Sequence, residues 1–258
     1  MTKNQVKQKL LSGEASFGTF GWEFLVPGLP QIVRSSGAEF LLFDMEHAGT
    51  GYETLKTQIA LCRGIDLTPM CRVPANQYQY ISRALDLGAK GIMVPMVGSA
   101  EEAEFIVSCT KYPPHGRRGA AFGFAADDYK HGNVSESIQS SNDNVLVMAL
   151  IETQEGLSHV EEIAAVPGID VIWLGHFDLS NFLGIPGQFE HKKYIEAIEK
   201  ITNAAKRSGK ALGCMSASSE WSVQYWGWGF RMFAFGVDSM LLQSALTEGI
   251  NELNSLSR

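Results

Sequence analysis

Short apolar runs alternate with longer amphipathic stretches along the whole chain. Eight runs have the length and composition of strands: 17–22 (FGTFGW), 40–45 (FLLFDM), 68–73 (TPMCRV), 91–96 (GIMVPM), 145–152 (VLVMALIE), 170–175 (DVIWLG), 211–216 (ALGCMS) and 231–236 (RMFAFG). Most are apolar on both alternations, the pattern of strands covered on both faces. Between them lie segments such as GYETLKTQIALCRG, AEEAEFIVSCTKY and KKYIEAIEKITNAAKRSG, whose apolar residues recur at helical spacing. Gly64, Gly88 and Gly209 stand where such helices must end, free to adopt the left-handed conformation just beyond a helix C-terminus. Eight βα units in 258 residues predict a (β/α)8 barrel of the α/β class, with residues 1–258 forming one domain. A doubly wound sheet more often has fewer strands and a Gly-rich phosphate turn.

Two segments depart from the rhythm. Residues 112–144 are too long for a routine connection, which predicts a functional or interface loop after the fourth unit. The last segment, VDSMLLQSALTEGINELNSLSR, reads as a helix that packs either on its own barrel or on a neighbour's.

Charge and composition narrow the function. Asp and Glu number 28 against 21 Lys and Arg, a net charge of −7 without a clustered basic surface, which argues against nucleic acid as a partner. No run approaches the ~18 apolar residues of a membrane span, and the polar N-terminal stretch lacks the apolar core of a signal peptide. Four cysteines without a C-x-x-C pair disfavour both a disulfide framework and a zinc site. A cytoplasmic protein is expected.

In such a barrel the chemistry sits at the C-terminal ends of the strands, where the βα loops converge. That rule selects Trp22 and Glu23, then Asp44, Glu46 and His47 in FDMEHAG, Arg72, Glu152, His176 and Asp178. Glu152 and Asp178, on neighbouring strands five and six, would repel each other unless a proton or a divalent cation lay between them. Two carboxylates leave most of an octahedral shell open, as Mg²⁺ or Mn²⁺ requires, and a 2-oxo acid could complete it through its carboxylate and keto oxygens. Arg72 could stabilise the developing enolate, and His47, oriented by Asp44, could carry a proton near neutral pH. No strand ends on a lysine, which disfavours an imine-forming aldolase. Other roles are open at each position: Asp178 or Glu152 as a helix cap, Arg72 in a structural salt bridge, His47 or His176 as a hydrogen-bonded structural histidine.

The motifs FDMEHAG, CRVPANQYQYISRALDLGAKGIMVPMV, EEAEFIVSCTKYPPHGRRGA, ALIETQEGL, GIDVIWLGHFDLSNFLGIPG and FRMFAFGVDSMLL resemble, in order and spacing, the HpcH/HpaI family of metal-dependent class II pyruvate aldolases, over about residues 15–245. The resemblance implies a barrel whose last helix is exchanged between partners and a hexamer built as a trimer of dimers. It further implies Mg²⁺, Mn²⁺ or Co²⁺ bound by Glu152 and Asp178, enolate stabilisation by Arg72, and a base, His47, supported by Asp44. Asp86 matches an aspartate that reaches toward a neighbouring subunit's site. The implied substrates are a 2-oxo acid and an aldehyde, joined or cleaved as a 4-hydroxy-2-oxo acid. Three places depart from the family pattern: Leu150 replaces a glutamine, Gly175-His176-Phe177-Asp178 replaces Gly-Pro-Ser-Asp or Gly-Pro-Ala-Asp, and Ala121 replaces a glycine. The first two touch the substrate pocket. They keep in view a biosynthetic carbon–carbon-forming enzyme, such as a citrate synthase-like protein acting on oxaloacetate; a non-catalytic keto-acid sensor is a separate alternative, against which the joint presence of Asp44, His47, Arg72, Glu152 and Asp178 counts.

Overall fold

A computed structural model describes residues 3–256. The strands are β1 (Ser16–Gly21), β2 (Phe40–Asp44), β3 (Thr68–Arg72), β4 (Gly91–Val94), β5 (Leu146–Ile151), β6 (Val171–Leu174), β7 (Ala211–Ser216) and β8 (Met232–Val237). They pair in sequence order, all parallel, and β8 closes on β1 as a complete barrel. The helices are α1 (Gln5–Leu11), α2 (Leu29–Ser35), α3 (Tyr52–Leu61), α4 (Tyr78–Asp86), α5 (Ala100–Thr110), α6 (Val134–Asn144), α7 (Gln154–Ser158), α8 (Val160–Ala165), α9 (His176–Phe182), α10 (Lys192–Arg207), α11 (Ser219–Gly227) and α12 (Asp238–Ser255).

Period-two alternation divides the strand residues between two cores. Phe20, Phe40, Leu42, Met70, Met148, Leu150 and Trp173 fill the barrel interior. Leu41, Phe43, Cys71, Ile92, Val147 and Ile172 face outward into the layer shared with the helices. Trp173 spans the interior, meeting Phe20 edge-on with ring centroids 6.2 Å apart. Its paired residue on β7 is Gly213, where a Cβ would collide with the indole.

Polar as it looks, α1 closes the floor of the barrel. Val6 joins the interior cluster, the Asn4 amide donates to Lys90 O and Asn144 O, and Lys7 pairs with Asp170 at 3.0 Å. Residues 112–144, which the sequence marks as a functional or interface loop, end in α6 after a short turn at Ala125–Asp127. Helix α6 is built of Ser, Asn, Gln and Asp with little apolar periodicity, and it forms because Asn133 caps its first turn and Asn142 bonds the backbone of Tyr112. The stretch LSHVEEIAAV breaks into α7 and α8 at His159.

Gly213→Ala should lower stability by roughly 1–3 kcal/mol through overpacking against Trp173. Urea unfolding with an unchanged m-value would register it.

Candidate active site

The alternation that buries Phe40 and Leu42 carries Asp44 into the same inward row, one step nearer the C-terminal mouth. By the same count Arg72 follows Met70, Glu152 follows Leu146, Met148 and Leu150, and Gly175 follows Trp173. Asp44 and Arg72 are direct register partners, and Arg72 Nε donates to Asp44 Oδ1 at 2.6 Å. The Arg72 Nη1 atom lies 3.2 Å from Glu46 Oε2, and the guanidinium sits over the rings of Phe20 (5.4 Å) and Trp22 (5.6 Å). Nη2 is buried with no hydrogen-bond partner among the described residues, as is Trp22 Nε1 nearby. Two donors at the mouth therefore have no acceptor among the described residues.

Asp44 acts on His47 through the loop backbone. Its carboxylate accepts the backbone N–H groups of Glu46 (3.1 Å) and His47 (3.0 Å), so it shapes the loop rather than touching the imidazole. The acid beside the imidazole is Glu46, 3.8 Å from Nε2. His47 is half exposed and rests edge-on against Trp22, centroids 6.1 Å apart.

Across the mouth, Glu152 accepts the Met96 N–H through Oε1 at 2.8 Å. Met96 takes a left-handed backbone (φ 57°), a conformation that costs a non-glycine residue on the order of 1 kcal/mol or more and is concentrated at functional sites. Glu152 Oε2 lies over Gly175, where a Cβ would come within 2.5 Å of it. A side chain at 175 would displace the carboxylate. The cap of α7 is Thr153, which accepts from Gly156 N, so Glu152 is released from that structural role. Asp178, half-buried in the first turn of α9, has no protein donor on its carboxylate among the described residues.

These acids act on one another. The Glu152 pKa is raised to about 7, chiefly by burial and with a further contribution from Glu46 and Asp178, against the opposing Met96 N–H and Arg72. Glu46 is also raised, first by burial. Negative charge thus exceeds what Arg72 neutralises, which is the situation a bound cation relieves. No three His, Cys, Asp or Glu side chains converge into a ready-made cage among the described residues. Glu152 and Asp178 fit a hard divalent ion that takes its remaining oxygens from water and substrate.

The remaining expected residues lie around this centre. Leu150 forms part of the interior floor one layer beneath Glu152, 2% exposed. His176 turns into an aromatic cage of Phe177, Phe189 and Trp221, with centroids 4.3, 5.6 and 4.8 Å away. Burial lowers its pKa to about 4, so it is a neutral ring near neutral pH, and its Nε2 has no partner among the described residues. Phe177 stands exposed at the rim. Asp86 belongs to the last turn of α4, outside the mouth of its own barrel, and pairs with Arg118 at 2.8 Å.

Two contributors escape sequence reasoning. Met96 serves through its backbone N–H alone, which no side-chain pattern reveals. Asp238, first residue of α12, accepts the N–H groups of Trp22, Glu23 and Phe24 at 2.9–3.1 Å and so fixes the loop that carries Trp22.

The geometry agrees with the comparisons. A family model described as HpcH/HpaI aldolase/citrate lyase matches residues 26–245. The chain belongs to the HpcH/HpaI aldolase/citrate lyase family. The 5-keto-4-deoxy-D-glucarate aldolase of Escherichia coli (strain K12) is 33% identical over 243 residues, 94% of this chain and 93% of that protein. Among solved structures, an HpcH/HpaI aldolase from Desulfitobacterium hafniense DCB-2 superposes with a TM-score of 0.92 at 32% identity, covering 96% of both chains. The citrate synthase SbnG superposes with a TM-score of 0.87 at 27% identity, covering 98% of both.

A metal-free preparation should lose stability as pH rises from 4.5 through about 7, because the folded state holds a proton on Glu152 that the unfolded chain releases earlier. This group contributes roughly 3 kcal/mol to the loss. Adding Mg²⁺ or Mn²⁺ above that window should raise Tm, while Glu152→Gln should flatten the slope and abolish the response to the ion, as thermal melts across pH would show.

Proposed function

We propose that this member of the family is a divalent-metal-dependent carbon–carbon lyase that reversibly cleaves a 4-hydroxy-2-oxo acid to pyruvate, or a related 2-oxo acid, and an aldehyde. The observation that carries it is the partnerless Arg72 Nη2, held by Asp44 beside the acids Glu152 and Asp178. Glu152 and Asp178 would hold Mg²⁺, Mn²⁺ or Co²⁺, which when bound supplies Lewis-acid stabilisation of charge on the keto oxygen. Arg72 Nη2 donates to the same oxygen as it becomes an enolate, and its fixed fork needs no reorganisation to do so. His47 Nε2, exposed to the mouth and steadied by Glu46, takes or returns the proton. Trp22 walls one side and offers its Nε1–H to the 2-oxo acid. The aldehyde's far end meets the altered rim, where Phe177 stands in place of a small residue. The likeness to the citrate synthase SbnG favours, as a second reading, carbon–carbon bond formation on oxaloacetate.

The assembly belongs to this proposal. Helix α12 is 18 residues long, yet Asp238 is its single buried residue. Leu242, Leu246, Ile250 and Leu253 are exposed along it, and a groove of about 690 Å³ lined by Phe24, Val26, Ile32 and Phe235 opens where an eighth barrel helix would lie. Exchange of α12 between copies, leading to a hexamer as a trimer of dimers, would cover both surfaces. One barrel domain over residues 1–258 is the unit of that assembly. A reducing, cytoplasmic location suits the four buried free cysteines. No described helix is long and apolar enough to cross a membrane.

Wild-type protein with Mg²⁺ or Mn²⁺ should exchange the methyl protons of pyruvate for deuterium, followed by NMR, and a chelator should stop it. Arg72→Lys should slow exchange by roughly 10²-fold or more, since an ammonium lacks the second fork. Absence of exchange in the metal-loaded wild type would overturn the enolate mechanism. Thiol release from acetyl-CoA with oxaloacetate, without cleavage of any 4-hydroxy-2-oxo acid, would instead select the second reading. Separately, Leu246→Glu combined with Ile250→Glu should convert the oligomer to smaller species in sedimentation velocity.

A further inference from the structure

The end of the barrel opposite the candidate active site carries a second concave feature. A cavity of about 410 Å³ lies where α3 ends and β3 and β4 begin, walled by Ile59, Leu67 and Pro69. Four cations line it, Lys3, Arg63, Lys90 and Lys130, against two carboxylates, Asp66 and Asp128. This local excess of positive charge stands out in a chain of net charge −7.

The carboxylates do not satisfy the cations. Asp128, in a left-handed conformation (φ 54°), is shared between Arg63 Nε at 3.3 Å and Lys90 Nζ at 3.9 Å. Arg63 is further fixed by donating to Ala125 O at 3.0 Å and by stacking over Tyr129. Lys90 is largely buried, and its other acceptor, Ala126 O, is 3.5 Å away. An ammonium has three donors and bonds well at about 2.8–3.0 Å, so Lys90 faces the cavity with its hydrogen-bonding capacity unmet. Lys3 and Lys130 make no ion pair among the described residues and are exposed at the rim, long enough to fold over an occupant.

From the cavity, the unmet Lys90 and the charge excess we infer that this end of the barrel binds a small organic polyanion, a phosphate ester or a polycarboxylate whose apolar part rests on Ile59, Leu67 and Pro69. The volume suits a metabolite-sized ligand. A dianion would sit between Arg63 and Lys90 and be closed over by Lys130. This site is independent of the chemistry proposed for the opposite mouth.

Isothermal titration of the full-length metal-free protein with inorganic phosphate, adenosine monophosphate and citrate tests this, each as a separate arm. At least one should bind saturably, one per chain, with Kd at or below roughly 1 mM, and the arm that binds tells phosphate from carboxylate chemistry. Lys130→Glu, at an exposed position, and Lys90→Gln should each weaken that binding by roughly tenfold or more, while Arg72→Gln at the opposite mouth leaves it unchanged. No saturable binding in any arm, or binding lost in Arg72→Gln and retained in Lys130→Glu, overturns the inference.

Discussion

The Asp44–Arg72 pair is the constraint on which the mouth of this barrel depends. Both side chains are almost fully buried, and a buried guanidinium deprived of its carboxylate leaves an uncompensated charge worth roughly 3–5 kcal/mol of destabilisation. The pair therefore stays closed, and closure does more than neutralise charge. One Asp44 oxygen fixes the Arg72 fork while the other takes the His47 backbone, so a single carboxylate sets both the guanidinium on β3 and the loop after β2. With Nε and Nη1 engaged, the remaining donor is left facing the space between the strands.

Around that fixed cation the site is built to be incomplete. Burial and the neighbouring carboxylates raise the cost of ionising Glu46 and Glu152, Met96 accepts a strained backbone to reach Glu152, and Trp22 and Arg72 keep donors without acceptors among the described residues. Each of these costs stability, and each would be offset by the occupant proposed above, a chelating oxyanion with its cation. The departures at Leu150, His176 and Phe177 lie beside this machinery without touching the ion pair. They alter the walls and rim and leave the electrostatic centre intact.

Much of this arrangement is legible in the linear chain, for a physical reason. Strands buried on both faces must be apolar throughout, so Asp44, Arg72 and Glu152 stand out as polar residues at the ends of such runs, and parallel βα order dictates which end they share. The barrel and all eight strands are readable on the same grounds, to within a residue or so at most ends. Contacts made by backbone are not readable: Met96 N–H and the Asp238 nest depend on loop conformation. Nor is the partner of the His47 imidazole, because Asp44 and Glu46 are two residues apart and only the turn after β2 decides which carboxylate meets the ring. Helix α6 is hidden in sequence because it is held by caps and side-chain amides rather than by an apolar face.

Asp238 joins two parts of the molecule that are otherwise separate. It is the root of the exposed α12 and the clamp on the Trp22 loop, so the strand-to-helix junction at 237–238 links the placement of that helix to the wall of the candidate site. In the proposed exchange, seating of α12 on a second copy would tighten that clamp. Turnover per chain would then depend on protein concentration, because a lone chain would leave that helix unanchored and the Trp22 wall slacker.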